Sequence, residues 1–205
     1  MGRRSAHTPQ QLRDLILDAA QAIIETHGLA GLSAREIARR IDYSPGTIYN
    51  MYQNLDDVVL HVEGRLLEEL EGRLAAVAKD GDPVAAAPRM SQTYLNFAAE
   101  RPRLWNLLFE HHLPKDAPLP PAYQQRFEAL ADRVEEALMP LYPNGAAEQR
   151  RQAARVLWSS VHGIASLSTA DKLAAVTAEN AGAMVENLVR GYLTGVKAGF
   201  PVNGA

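Results

Sequence analysis

Residues 44–50 read Ser-Pro-Gly-Thr-Ile-Tyr-Asn. Ser44 is a helix N-cap type, Pro45 suits the first helical position, and Gly46 follows in the first turn. A purely structural helix gains nothing from glycine there. A helix whose start must lie against another surface does. Free N–H groups at a helix start, with the Ser44 hydroxyl, suit an anionic oxygen such as a phosphate. Thr47 and Tyr49 can hydrogen-bond phosphates or base edges, and Asn50 has the donor–acceptor pair that matches adenine in a major groove. Ile48 and Tyr52 have the spacing to face inward and seat the helix.

The elements that must position these residues read as helices. Leu12, Leu15, Ile16, Ala19, Ala20, Ile23 and Ile24 follow the i, i+3, i+4, i+7 rule and give one apolar stripe. Thr8-Pro9 starts that helix and Gly28 stops it, which predicts residues 9–27. Ser33 with Glu36 reads as a capping box opening a short second helix with Ile37, Ala38 and Ile41 inward. Asp42-Tyr43 make the turn into the Ser44 helix. Asn54 reads as the cap of a long helix over 55–79, with Asp56 and Asp57 placed to suit its dipole. Two short helices joined by a tight turn after a longer one form a helix-turn-helix pattern. Further helices are expected near 84–100, 101–112, 121–139, 147–170 and 178–199. Pro88 falls awkwardly, either starting its helix or distorting its first turns. No segment alternates with period two, so no strand is expected.

The 205 residues carry 22% charged and 47% hydrophobic side chains, a globular balance. No apolar run approaches the ~18–20 residues of a membrane span, and no signal peptide is visible. Cysteine is absent, which excludes disulfides, thiol catalysis and thiolate metal sites. A reducing cytoplasm is the expected setting. The net charge of −3 argues against a polyanion binder, but residues 1–54 are net +1 and the remainder −4. A slightly basic head on an acidic body permits one face to meet a polyanion. Arg3 and Arg4 suit a minor-groove arm or a solvated tail, and Arg35 and Arg39 suit phosphates; Arg40 reads equally as an internal pair.

The stretch Ala34–Asn54 resembles the operator-binding signature of TetR-like transcriptional regulators, in which I-A-x-x-x-G-V-S-x-G-x-[LIV]-Y-x-[HYF]-F follows an amphipathic helix. Ile37, Ala38, Ser44, Gly46, Ile48 and Tyr49 stand at matching positions. Asp42 replaces the usual turn glycine, Met51 an aromatic or histidine, and Tyr52 the usual phenylalanine. The lysine common at the start of the next helix is missing. The segment Leu157–Leu167, with Trp158, His162 and Gly163, is similar to one found in a branch of these regulators. The resemblance implies a DNA-facing set of Arg3, Arg4, Ser33, Arg35, Ser44, Pro45, Gly46, Thr47, Tyr49, Asn50 and Tyr52. It also implies an effector pocket in the C-terminal part.

That part has no P-loop, dinucleotide turn or nucleophile elbow. His111-His112 are adjacent and diverge on a helix, while His61 and His162 stand alone, so no metal site or cofactor is expected. Tyr94, Phe97, Trp105, Phe109, Tyr123, Phe127 and Trp158, with His162, are core residues or the walls of a cavity for an apolar or aromatic small molecule. Trp105, Phe109 and His162 stand foremost among those walls. Val156, Leu157, Ser160, Val161, Ile164 and Leu167 form one stripe. Met184, Val185, Leu188, Val189, Tyr192 and Val196 form another, with Gly163, Ala165, Gly191 and Gly195 permitting close approach. Two copies of this helix pair would bury both stripes, as TetR-like proteins do. The expected interface is Val156, Ser160, Ile164, Leu167, Met184, Val185, Leu188, Val189 and Tyr192.

The expectation is an all-α chain. Residues 1–54 form a three-helix helix-turn-helix DNA-binding domain and 55–205 a helical ligand-binding and dimerisation domain. As a homodimer it would bind a double-stranded DNA operator and respond to a small-molecule effector, with no membrane partner and no enzymatic activity. The competing expectation is an all-helical small-molecule-binding protein or enzyme with a vestigial DNA-binding head.

Overall fold

The computed structural model describes residues 7–78, 83–113 and 118–198. Among these, the secondary structure is helical, with no strand: α1 (Pro9–His27), α2 (Ala34–Arg40), α3 (Pro45–Met51), α4 (Leu55–Ala78), α5 (Pro83–Glu100), α6 (Pro102–Glu110), α7 (Pro121–Leu138), α8 (Ala147–Thr169) and α9 (Ala181–Lys197). Arg3 and Arg4 lie outside the described residues. The chain divides into two compact units. One runs to Leu66 and takes in Arg103–Leu119; the other holds Leu67–Pro102 and everything from Pro120. The sequence boundary at 54/55 marks the end of the helix-turn-helix, whereas packing divides the chain within α4.

The first unit is built by its caps. Thr8 and Gln11 form a reciprocal capping box at α1, and Gly28, at φ 70°, ends it. Ser33 accepts from the Glu36 amide. The other half of the expected box is replaced, because the Glu36 carboxylate turns to Arg39 and Arg40. Asp42 adopts φ 57°. The Tyr43 amide then bonds the Ala38 carbonyl at 2.9 Å, the reach-back of a Schellman motif. Asp171, at φ 55°, closes α8 in the same way, with the Lys172 amide on the Leu167 carbonyl at 2.9 Å. An aspartate therefore does at both turns what glycine usually does.

Ile16, Ala20, Ile23, Ile24, Ile37, Ala38 and Ile48 fill the core of this unit. Arg65 of α4 holds Asp14 at 2.6 Å and Asp18 at 2.7 Å on α1. Arg103, at the start of α6, donates to the carbonyls of Thr26 and Glu25, the open C-terminal end of α1. These contacts tie α1 to both later helices of its unit.

In the second unit, α5 packs on α7, α8 and α9, and α8 on α7 and α9. α5 begins at Pro83, so Pro88 sits inside it and removes the bond to the carbonyl four residues earlier. Two guanidinium groups lie over the Phe97 ring, Arg73 at 5.0 Å and Arg101 at 5.4 Å from its centre. Both arginines pair with Glu69, and Arg73 also with Glu100. α9 starts at Ala181 because Asn180 caps the Ala183 amide at 2.9 Å, three residues later than the sequence suggested.

Asp42→Val is expected to lower the unfolding free energy by about 1–2 kcal/mol, because a β-branched residue resists the left-handed region. Asp42→Gly is expected to leave it unchanged or raise it. Urea titration of the three proteins checks both.

Candidate nucleic-acid interface and effector cavity

α3 is held from one side only. Ile48 is 1% exposed and Tyr52 4%, so both enter the core of the first unit. The Tyr52 hydroxyl reaches toward the Arg13 carbonyl at 3.5 Å, its ring meets His61 edge-on at 5.1 Å, and burial pushes its pKa up to about 12. Tyr52 is thus a seat for the helix, which corrects its place in the DNA-facing set. The opposite face carries Ser44, Pro45, Gly46, Tyr49 and Asn50, all exposed, with Thr47 half-buried. Tyr49 is 55% exposed, unusual for a large aromatic side chain. The Ser44 hydroxyl does not cap the backbone as expected; it pairs with the Thr47 hydroxyl at 3.1 Å.

Gly46 has no reason for being glycine inside its own chain. An added Cβ would meet only the Ser44 hydroxyl oxygen, at an ordinary 3.7 Å. Its φ is not positive. Glycine in a helix costs roughly 0.5–1 kcal/mol relative to alanine. The chain carries that cost without an internal return.

The cations near α3 sit on α2. Glu36 pairs with Arg39 at 2.6 Å and Arg40 at 3.4 Å, and the Arg39 hydrogen bond leads in bringing its carboxyl down to about 2. Arg35 is exposed and makes no ion pair among the described residues, so of the three it is the one whose charge is not shared. Ser33 is exposed but engaged as the α2 cap. Past α3, Asn54 caps the Asp57 amide at 2.8 Å while Asp57 accepts from the Gln53 amide at 2.9 Å.

Sequence reading missed a buried cluster in the same unit. His111 Nδ1 lies 3.0 Å from Glu63, and its Nε2 3.5 Å from Asp56. The side chains of His111 and Glu63 are 6% and 2% exposed. The hydrogen bond to Glu63, more than any other influence, raises the His111 pKa. The partners are 48 and 55 residues away in sequence, beyond the reach of any local pattern.

The second unit contains a small cavity of about 30 Å³. Its walls come from Leu74 of α4, from Ala87, Met90, Ser91 and Tyr94 of α5, from Val134 and Ala137 of α7, and from Leu157, Trp158 and Val161 of α8. Of the aromatic set expected to line a pocket, Tyr94 and Trp158 do so. His162 stands behind them and is not alone. Its Nδ1 is 3.0 Å from the Tyr94 hydroxyl, its Nε2 3.1 Å from the Ser166 hydroxyl, and its ring stacks on Trp158 at 5.7 Å. The remaining five are elsewhere. Phe97 lies under the guanidinium groups of Arg73 and Arg101. Trp105 and Phe109 pack together on α6 in the first unit. Tyr123 and Phe127 pair along α7. A wider groove of about 290 Å³ is lined by Gln92, Asn96, Ser168, Thr169 and Asn180 among others, and includes none of the aromatics.

Val185 and Val189 are buried within their own chain, at 2% and 0% exposure, so neither is available to a partner. This corrects the expected interface. α9 has two apolar faces, and the sequence stripe merged them. Val156 is 43% exposed, and Ser160, Ile164, Leu167, Met184, Leu188 and Tyr192 are half-buried.

Residues 16–62 match the family described as bacterial regulatory proteins, tetR family. Residues 87–192, more than half of the chain, match the tetracyclin repressor-like C-terminal domain. The chain belongs to the tetR family of transcriptional regulators. Over 156 residues it is 24% identical to the uncharacterized HTH-type transcriptional regulator YobS of Bacillus subtilis (strain 168), covering 75% of this chain and 76% of that protein. A protein of unknown function from Rhodococcus sp. RHA1 has a similar fold, with TM-score 0.75 and 19% identity over 95% of this chain and 98% of that one. Thermus thermophilus FadR, a TetR-family repressor in complex with lauroyl-CoA, gives TM-score 0.64 and 22% identity, covering 94% and 97%. Among the described residues of this TetR-family regulator, no helix is long and apolar enough to cross a membrane.

The His111 cluster makes a pH prediction. A histidine whose folded pKa exceeds its unfolded value, ~6.5, adds stability that is fully present below that value. The contribution is lost as pH rises through the folded pKa. His111→Gln is expected to flatten this part of the stability-versus-pH curve, measured by chemical unfolding from pH 5.5 upward.

Proposed function

We propose that this TetR-family regulator is a homodimeric repressor. Each subunit lays the Gly46, Tyr49 and Asn50 face of α3 in a major groove of a pseudo-palindromic operator. A small-molecule effector in the second unit releases it. The observation that carries the reading is Gly46, a helical glycine that nothing in its own chain requires. Close approach of a DNA backbone accounts for it, and the exposed Tyr49 and Asn50 beside it supply groups for phosphates and base edges. Arg35, exposed on the neighbouring α2, adds a positive charge that no ion pair among the described residues shares.

Dimerisation follows from energetics. One seven-residue reading helix engages a single half-site, and two half-sites about one helical turn apart are needed to rise well above non-specific binding. The partner is a second copy, seated on the uncovered faces of α8 and α9. Val156, Ser160, Gly163 and Leu167 follow i, i+4, i+7, i+11 on α8, as Met184, Leu188, Gly191 and Gly195 do on α9. A Cβ added at Gly163 or Gly191 meets nothing within 4 Å, so these positions leave room for a partner helix.

α4 supplies residues to both compact units, and an effector that shifts it alters the spacing of the two reading heads. Coupling of about 1–3 kcal/mol, usual for allostery, changes operator affinity roughly 5–150-fold.

One observation favours a head that no longer binds DNA: α3 carries no cation, and Glu36 shares two of the α2 arginines. The salt dependence of binding separates the readings, since several phosphate contacts give a steeply negative slope of log K against log salt.

Gly46→Ala is expected to raise subunit stability by roughly 0.5–1 kcal/mol while weakening operator binding ~10-fold or more. Tyr49→Ala and Asn50→Ala should each cost about 1–3 kcal/mol of operator affinity with the fold intact. Selection of an inverted repeat from a random DNA library, then gel shift at low salt, supplies the operator; unchanged binding by all three variants would sink the reading. Sedimentation should give a dimer for the native chain, and Gly163→Leu with Gly191→Leu should shift it toward monomer, since the added side chains have space only when no partner is present.

A further inference from the structure

The chain that leads into α1 is held at three points. The Thr8 amide bonds the Gln11 side chain at 2.8 Å, and the Gln11 amide bonds the Thr8 hydroxyl at 3.2 Å. Thr8 is extended, at φ −66° and ψ 160°, the conformation that the following Pro9 favours. His7 is then pinned to the helix-turn-helix itself. Its Nδ1 lies 2.8 Å from the Tyr43 hydroxyl, a hydrogen bond whichever of the two atoms carries the proton, and the ring centres are 6.0 Å apart.

Tyr43 directly precedes Ser44, the N-cap of α3. The operator-binding signature has valine at this position, so the hydroxyl that holds His7 is this chain's own. Thr8 already caps α1, and Ile48 and Tyr52 already seat α3. What the contact adds is a fixed point of departure, beside the start of α3, for the residues before His7.

Those residues read Met-Gly-Arg-Arg-Ser-Ala, with two arginines and no acid. From residue 5 to residue 54 there are four arginines against five acids, so the head is net negative without Arg3 and Arg4. α3 carries no cation, and the exposed Asp42 lies two residues before its cap. Affinity for DNA comes largely from cations that meet phosphates. Arg4 is three residues from His7 and Arg3 four, so their backbones can stand at most ~11 and ~14 Å from it. That span crosses one phosphate strand, from a major groove into the minor groove beside it. Gly2, Ser5 and Ala6 flank the arginines with small side chains, which suits a minor groove ~6 Å wide.

We infer that Tyr43 is a positioning residue for operator recognition. Through His7 it holds the start of the chain beside α3, so that Arg3 and Arg4 enter the minor groove next to the major groove that α3 reads. The inference rests on the reading of this chain as an operator-binding dimer. The arginines touch DNA, and Tyr43 and His7 act through them. A narrow A·T-rich minor groove concentrates negative potential and attracts arginine. Base pairs just outside each half-site therefore count, although α3 does not touch them.

Gel shift over a salt series tests this, with the inverted repeat that the native chain selects and A·T or G·C pairs placed outside its half-sites. The native chain should prefer the A·T flanks. Arg3→Ala with Arg4→Ala should abolish that preference and make the slope of log K against log salt shallower by roughly 1.8 per subunit, about 0.9 for each phosphate no longer neutralised. Tyr43→Phe should weaken binding and reduce the flank preference in the native background, yet change neither in the background lacking both arginines. A merely structural role would weaken binding equally in the two backgrounds, and the comparison cancels any loss of stability common to both. His7→Ala should reproduce Tyr43→Phe. No flank preference in the native chain, an unchanged slope without the arginines, or an equal effect of Tyr43→Phe in both backgrounds would overturn the inference. Any of these results from a chain that binds its operator refutes the arm alone. A native chain that selects no inverted repeat at low salt refutes the repressor reading, and the arm with it.

Discussion

The burial of Ile48 and Tyr52 is the constraint on which the candidate interface depends. α3 is seven residues long and has almost no stability of its own. Its orientation comes from two side chains sunk into the core made by α1 and α2, each worth roughly 1.5–3 kcal/mol of burial. With those two fixed, helical geometry leaves Gly46, Tyr49 and Asn50 no face but the outer one. The Asp42 turn sets the angle at which α3 leaves α2, and the Tyr43 amide on Ala38 locks it. The outer face is therefore a consequence of the inner one.

Charge plays a smaller part in this head than in a strongly basic DNA-binding domain. Glu36 and its two arginines form a solvent-exposed network, and such pairs are worth little and break readily. A phosphate can compete for Arg39 at small cost. Inside the unit the logic differs. Arg65 with Asp14 and Asp18, and His111 with Glu63 and Asp56, join helices far apart in sequence. Removing one partner of the His111 pair would leave a buried carboxylate alone, so the pair's effect is to fix geometry more than to add stability.

The second unit shows a division of labour among its aromatics. Phe97 serves an electrostatic cluster as a flat surface for two arginines. Tyr94, Trp158 and His162 cluster beside an apolar void, with the Tyr94 hydroxyl 3.0 Å from His162 and the His162 ring stacked on Trp158. The similarity to a repressor solved with lauroyl-CoA concerns the fold. The cavity wall is this chain's own, and none of the described residues that line it is charged.

What the sequence by itself determined was local. α1 follows from Thr8-Pro9, its stripe and Gly28, α2 from the Ser33 cap, and α3 from Pro45 in its first turn. The αL turn at Asp42 and the inward Ile48 were legible for the same reason: helical periodicity and capping are short-range. The tertiary structure alone decided what lies next to what. It placed Trp105 and Phe109 in a different unit from the cavity, gave His162 its two partners, and put Val185 and Val189 in the chain's own core. A stripe on a helix says that a face is buried, not by which neighbour. Tyr94 and His162 are 68 residues apart, and only packing brings them to hydrogen-bond distance.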